Sequence, residues 1–275
     1  MSIIAGILYG LFSGIAEFLP ISSHAHQSML LQLCGKTSRD PMQDLLVHIS
    51  VLVALLVFFR TTLSKLHTDR KSMSQRRKRG ASGQKTAFES RLLRTAAVPL
   101  IIGSLAYSAT VRLEGNLLVL SGFLIVNGIV LLLAEHIRHG NRDSSAMSGL
   151  DGILMGTLGA LSCFPGLSRT GIITSYAVGR GADPHHAANW AVLLGIPAMI
   201  AAIVLDIIFL VSSGLGAISI DVVAVYFLSA AAAFAGSYIG MSFLRIILAR
   251  SGFSGFAYYS LGAAIFSFVL YLITW

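Results

Sequence analysis

Three stretches of this chain, Gly115 to Ala134, Val222 to Leu244 and Ser251 to Trp275, are almost without charge. Each is as long as the roughly 20 apolar residues with which a helix crosses a bilayer. A fourth, Ala187 to Leu205, is interrupted only by uncharged residues. Two weaker ones follow the same pattern: Leu92 to Val111 carries Arg94 near its start, and Leu45 to Phe59 is short and holds His48. With 12% charged residues and a mean hydropathy of +0.77, the chain is too apolar for an ordinary water-soluble domain. In lipid each segment must satisfy its own backbone, which leaves helices or closed barrels. A barrel needs short alternating segments, and there are none. The expectation is an all-α integral membrane protein, with residues 1–275 forming one membrane domain.

Met1 opens directly on an apolar segment with no basic region and no small-residue cleavage site, so no removable signal peptide is expected. Cys34 and Cys163 are too few for a disulfide framework and read as small apolar residues. The net charge of +8 is concentrated between Arg60 and Arg94, with "RRKRG" at Arg76 to Gly80. Between two membrane segments, such a run reads as a cytoplasmic loop obeying the positive-inside rule, here residues 61–91, rather than as a nucleic-acid patch. It places 92–111 as a crossing outward, 116–134 as a crossing back, and 135–150, with Arg138 and Arg142, inside again.

The chain also repeats itself. "GIAEFLPISSHAH" (Gly14 to His26) lies over "GALSCFPGLSRTG" (Gly159 to Gly171): Gly14 meets Gly159, Pro20 meets Pro165, Ser23 meets Ser168 and His24 meets Arg169. Each begins as an apolar helix, breaks at a proline, and resumes with hydroxyl and cationic side chains. Interrupted apolar segments at matching places in two halves point to an inverted repeat with broken helices meeting near the bilayer midplane. The expected architecture is an inverted-repeat helical bundle with two re-entrant hairpins, with residues 1–60 and 150–211 as the repeat cores.

Pooled, the halves supply Glu17, Ser22, Ser23, His24, His26, Ser168, Arg169 and Thr170. Ionizable groups at membrane depth are costly and are functional candidates by default. The guanidinium of Arg169 matches phosphate oxygens. A turn with Gly166, Ser168 and Thr170 ahead of a helix start offers N–H groups and hydroxyls to the same anion. Ser23 or Ser168 becomes a nucleophile if Glu17 or His26 takes its proton. A bare structural Glu17–Arg169 pair is the bland alternative. An anion site inside a membrane suits a phosphate-bearing lipid.

These two motifs resemble the signature regions of the undecaprenyl-diphosphate phosphatase family of the bacitracin-resistance type, approximately E-G-x-x-E-F-L-P-x-S-S-x-G-H and P-G-x-S-R-S-G-x-T. The resemblance spans nearly the whole chain. It implies a multi-pass bacterial inner (plasma) membrane enzyme with its site open to the outer face. Its reaction would be hydrolysis of undecaprenyl diphosphate to the monophosphate, which recycles the cell-wall lipid carrier. It implies that Glu17, Ser23, His26 and Arg169 are catalytic, with Ser23 or His26 as nucleophile or its helper. Ser22, Gly166, Ser168, Arg169 and Thr170 would bind substrate, and Glu17 would hold a divalent cation, Mg²⁺ or Ca²⁺, or act as base. The expected partners are the polyprenyl diphosphate, the membrane and a second copy in a homodimer, with no nucleic acid. The chain departs from the family pattern at Ser13, where a glutamate is usual, at Ala25, Ile173 and Gly159, and at His48 in place of a glutamine. His24 and His48 could favour a softer metal. A transporter of polyprenyl phosphate or another anion on the same scaffold is the competing reading, and a structural subunit the third.

Overall fold

A computed structural model of the chain describes residues 1–36, 38–71, 81–137, 142–213, 220–250 and 252–274. The basic cluster at Arg76 to Gly80, and Arg138, lie outside the described residues. The α-helices in chain order are α1 (Ile3–Phe18), α2 (Ser23–Leu33), α3 (Pro41–Phe58), α4 (Arg60–Lys71), α5 (Ala81–Leu105), α6 (Tyr107–Thr110) and α7 (Leu117–His136), then α8 (Gly149–Ala160), α9 (Arg169–Gly179), α10 (Pro184–Leu193), α11 (Gly195–Ser213), α12 (Ile220–Arg250) and α13 (Ser254–Thr274). Among the described residues there is no strand beyond one isolated bridge between Arg142 and Ala182. The all-α expectation holds.

Among the described residues, six helical stretches are long and apolar enough to cross a membrane: Pro41–Phe58, Ala87–Gly115, Leu117–His136, Pro184–Ser212, Val222–Ile247 and Ser254–Thr274. They coincide with the six apolar runs of the sequence. Their outward faces carry Val98, Ile102, Ile129, Leu133, Val211, Phe227 and Ile273, all exposed. An apolar exterior on this scale suits lipid rather than water. Inside, Tyr9, Phe18, Leu55, Leu100, Leu131, Ile173 and Trp190 form one continuous core.

Close helix contact is made with small residues. α1 lies along α12 and α8 along α5. A Cβ added at Gly10 would stand 1.9 Å from the Ser229 carbonyl oxygen, and one at Gly156 would stand 2.0 Å from that of Ala96. Association in lipid relies on such close backbone packing, because the apolar surroundings supply little drive of their own.

Two short apolar helices, α1 and α8 with the 3₁₀ turn Leu161–Cys163 that continues it, stop just before a proline. Leu19 (φ −86°, ψ 152°) precedes Pro20, and Phe164 (φ −79°, ψ 127°) precedes Pro165. The proline ring disfavours the helical region for the residue before it, so the chain leaves the helix at both places. It re-enters a few residues later. Ser22 caps α2, its Oγ accepting from the Ala25 N–H at 3.4 Å; Ser168 caps α9, its Oγ accepting from the Gly171 N–H at 3.2 Å. Ser22 does so at φ 67°, a left-handed conformation uncommon outside glycine, while Gly166 takes φ 109°.

Candidate functional site

The two breaks are bonded to each other. The Gly166 N–H donates to Ser22 Oγ (3.2 Å), and the Ser168 hydroxyl donates to the Leu19 carbonyl (3.2 Å). Asn127, fully buried on α7, spans both: its Nδ2 donates to the Pro20 carbonyl (3.0 Å) and to Ser260 Oγ (3.0 Å), while its Oδ1 accepts the Ser168 N–H (3.0 Å). One side chain thus satisfies backbone groups that the broken helices leave open, as buried amide groups demand.

This clamp sets the first residues of α2 and α9 side by side. Ser23 and Arg169 are the opening residues of their helices, so two helix N-termini, each with partial positive charge, meet at one cavity. The cavity holds about 70 Å³ and is lined by Glu17, Ser22, Ser23, His24, His48, Tyr107, Ser168, Arg169 and Asp206, with apolar residues including Ala16, Met199 and Leu205. The Ser23 hydroxyl donates to Glu17 Oε2 at 2.6 Å. Arg169 Nη2 lies 3.1 Å from Glu17 Oε1. Arg169 is 6% exposed, yet its Nε, Nη1 and Nη2 make no aligned hydrogen bond. Gly195 gives it room, since a Cβ there would stand 3.1 Å from Nη2. A guanidinium carries five N–H donors in a planar fork matched to carboxylate and phosphate oxygens, and this one has Glu17 as its ionic contact.

The sequence-predicted residues fall into three groups. Glu17, Ser22, Ser23, Ser168 and Arg169 share the cavity. Thr170 faces back toward the first break, its hydroxyl donating to the Glu17 carbonyl at 3.2 Å, and Gly166 provides the N–H received by Ser22. His26 stands apart. It lines two apolar cavities of about 410 and 400 Å³, with Nδ1 on the Ser22 carbonyl (2.8 Å) and Nε2 on the Tyr259 hydroxyl (2.8 Å). Its contacts brace the left-handed Ser22 rather than face Glu17.

Ser13, which stands where the signature has a glutamate, turns away from the cavity. Its hydroxyl donates to the Tyr9 carbonyl (2.5 Å) and accepts from Gln27 Nε2 (2.7 Å). His24 and His48 both line the cavity, but each commits Nδ1 to a carboxylate, Glu114 and Asp206 respectively, at 2.6 Å. Among the described residues no three His, Cys, Asp or Glu side chains converge as a ready-made metal cage. The oxygens of Glu17, Ser22 and Ser23 are hard donors, of the kind Mg²⁺ and Ca²⁺ select. Cys34 and Cys163 are free thiols.

Beyond the cavity, and sharing His48, Tyr107 and Asp206 with it, lies a vestibule of about 480 Å³ lined by Lys36, Arg39, Asp44, Arg112 and Glu114. Arg39 pairs with Glu114 (2.5 Å) and approaches Asp44 (3.8 Å), and the Tyr9 hydroxyl donates to Asp44. Sequence reasoning passed over Asn127, Asp206, Gly195 and this network. The signal for Asn127 was available, as a lone amide in the middle of a spanning segment.

Comparison with known proteins gives the family. A family model described as Bacitracin resistance protein BacA matches residues 6–266. An undecaprenyl-diphosphatase of Methanobrevibacter smithii is 30% identical over 267 residues, covering 94% of each chain. One from Carboxydothermus hydrogenoformans is 28% identical over 259 residues, again 94% of each. The undecaprenyl-diphosphatase 1 of Shouchella clausii is 28% identical over 282 residues, covering 98% of this chain and 96% of its own. The residues bonded across the two breaks all lie inside the matched region, and the chain belongs to the BacA family.

Proposed function

We propose that this protein is a membrane diphosphatase that hydrolyses undecaprenyl diphosphate to the monophosphate and phosphate, returning the cell-wall lipid carrier to use from the plasma membrane of a bacterium. The observation that carries the reading is the Ser23–Glu17–Arg169 cluster: a serine hydroxyl on a carboxylate, 2.6 Å away, beside a buried and under-satisfied guanidinium. Glu17 takes the Ser23 proton as Oγ attacks the terminal phosphorus. Arg169 and the N-terminal N–H groups of α2 and α9 hold the phosphoryl oxygens where charge builds. The departing undecaprenyl phosphate leaves as an anion and needs no proton. Ser23 is the nucleophile and His26 the support of Ser22, because His26 is engaged by the Ser22 carbonyl and Tyr259.

A divalent cation, Mg²⁺ or Ca²⁺, would be held by Glu17 together with the diphosphate's own oxygens, since one carboxylate suffices where phosphate completes the shell. It would supply charge neutralisation. The inverted repeat belongs to the same reading, with cores at 1–60 and 150–211 around the basic segment 61–91. It is supported by the reciprocal packing of α1 on α12 and α8 on α5, and by the paired proline breaks. A homodimer in the membrane and no nucleic-acid partner complete it; the basic residues cluster between spanning segments, where lipid headgroups account for them. The transport alternative needs Arg169 but gives no role to a serine held on a carboxylate.

The test is phosphate release from undecaprenyl diphosphate by the purified protein in detergent, with Mg²⁺, with Ca²⁺ and with chelator, beside Arg169→Ala. Release that needs Arg169 and a divalent ion is the expected result. No release from a folded, lipid-binding wild-type protein would overturn the reading.

A further inference from the structure

With Ser13 turned away, Glu17 and Asp206 are the carboxylates that line the cavity; both oxygens of Glu17 are engaged, Oε2 by Ser23 and Oε1 by Arg169, and Asp206 is engaged by His48. Hydrolysis in two steps needs a second proton acceptor, for the water that removes the phosphoryl group from Ser23. The lining offers few. His24 also meets a carboxylate at Nδ1, Glu114 at 2.6 Å, but Arg39 Nη2 stands 3.2 Å from the same nitrogen, which ties this ring into the Arg39–Glu114 ion pair of the vestibule. His48, on α3, is different. Its Nδ1 is fixed 2.6 Å from Asp206 Oδ2 on α11, its side chain is 13% exposed, and it lines the cavity with Glu17, Ser23 and Arg169. A carboxylate on Nδ1 sets the tautomer and orientation of an imidazole, and leaves Nε2 as the position that exchanges a proton. The charged groups around the ring are Asp206 from α11, Asp44 one turn earlier on α3, Glu17 from α1 and Arg169 from α9.

Resting on the function proposed above, we infer that His48, oriented by Asp206, is the general base of the second half-reaction. Water bonds to the phosphorus of phospho-Ser23 while the Ser23 Oγ–P bond breaks. The water proton passes to His48 Nε2, and the proton that Glu17 took in the first step returns to Ser23 Oγ. Inorganic phosphate leaves, and His48 releases its proton to the vestibule it also lines. His48 is the catalytic residue and Asp206 its positioning residue.

Purified wild type, His48→Gln and Asp206→Asn are given undecaprenyl diphosphate labelled with ³²P in the terminal phosphate, and both products are followed. The wild type turns over without accumulating label. His48→Gln gives a burst of undecaprenyl monophosphate equal to the enzyme present, with steady-state turnover down roughly 10²-fold or more, and label on Ser23 as phosphoserine. Asp206→Asn traps the same species with a smaller loss. His48→Ala recovers turnover in added imidazole, which a folding defect would not. Wild-type turnover in His48→Gln, or slow turnover with no burst and no phosphoserine, overturns the assignment. A wild type that releases no phosphate at all would instead sink the diphosphatase reading.

Discussion

The two breaks solve one backbone problem with different residues. In both, an X–Pro step ends an apolar helix, a serine caps the next one, and the cap hydroxyl reaches across to the opposite break. The first break turns through Ser22 in a left-handed conformation and carries the acid and the hydroxyl, Glu17 and Ser23. The second turns through Gly166 and carries the cation, Arg169. The shared geometry therefore builds the cavity, and the breaks differ in the charged and hydroxyl side chains that each brings to it.

Four experiments would break or sharpen that comparison. Ser23→Ala should bring turnover to background while the purified protein still binds undecaprenyl diphosphate, because only the attacking oxygen is removed. Arg169→Ala should lower kcat by roughly 10²–10³-fold, as for loss of a donor to developing negative charge. Arg169→Lys should recover little of this, since a point charge does not reproduce the planar fork. Asn127→Leu should strip both breaks at once. Each buried backbone group it leaves open costs about 1–3 kcal/mol, read as a lower Tm in detergent with activity falling in step. The last is a matched pair. Gly166→Ala should destabilise by about 1–3 kcal/mol, because its φ is unsuited to a side chain and its Cβ would stand 2.7 Å from that of Phe123. Ser22→Gly should cost only about 1 kcal/mol, since the relieved φ offsets the lost cap and acceptor. Equal costs at the two turns would mean that the left-handed conformation of Ser22 stores no strain for glycine to relieve.

Much of this was legible beforehand for a physical reason. Spanning segments announce themselves by length and hydropathy, and all six apolar runs became helices. The breaks were legible because proline restricts its neighbour locally, so Pro20 and Pro165 needed no tertiary information. The cavity membership of Glu17, Ser23 and Arg169 followed from the doubled motif. Illegible was the direction in which a side chain points once packed. His26 sits three residues beyond Ser23, yet its ring turns to Tyr259 and lines other cavities than the one that holds Ser23. Asp206 lies 158 residues from His48 and meets it only because α11 packs on α3. Gly195 could be read as a helix glycine; its service to Arg169 is a matter of empty space.

The close approach of α1 to α12 also bears on biogenesis. Gly10 touches the backbone at Ser229, more than two hundred residues later in synthesis. Until α12 enters the membrane, the helix that carries Glu17 has no companion for its glycine face. Contacts so distant in sequence form late. The packing around the cavity is therefore completed at the end of insertion, and a nascent protein whose first half is already in the bilayer carries Glu17 and Ser23 before either has met Arg169.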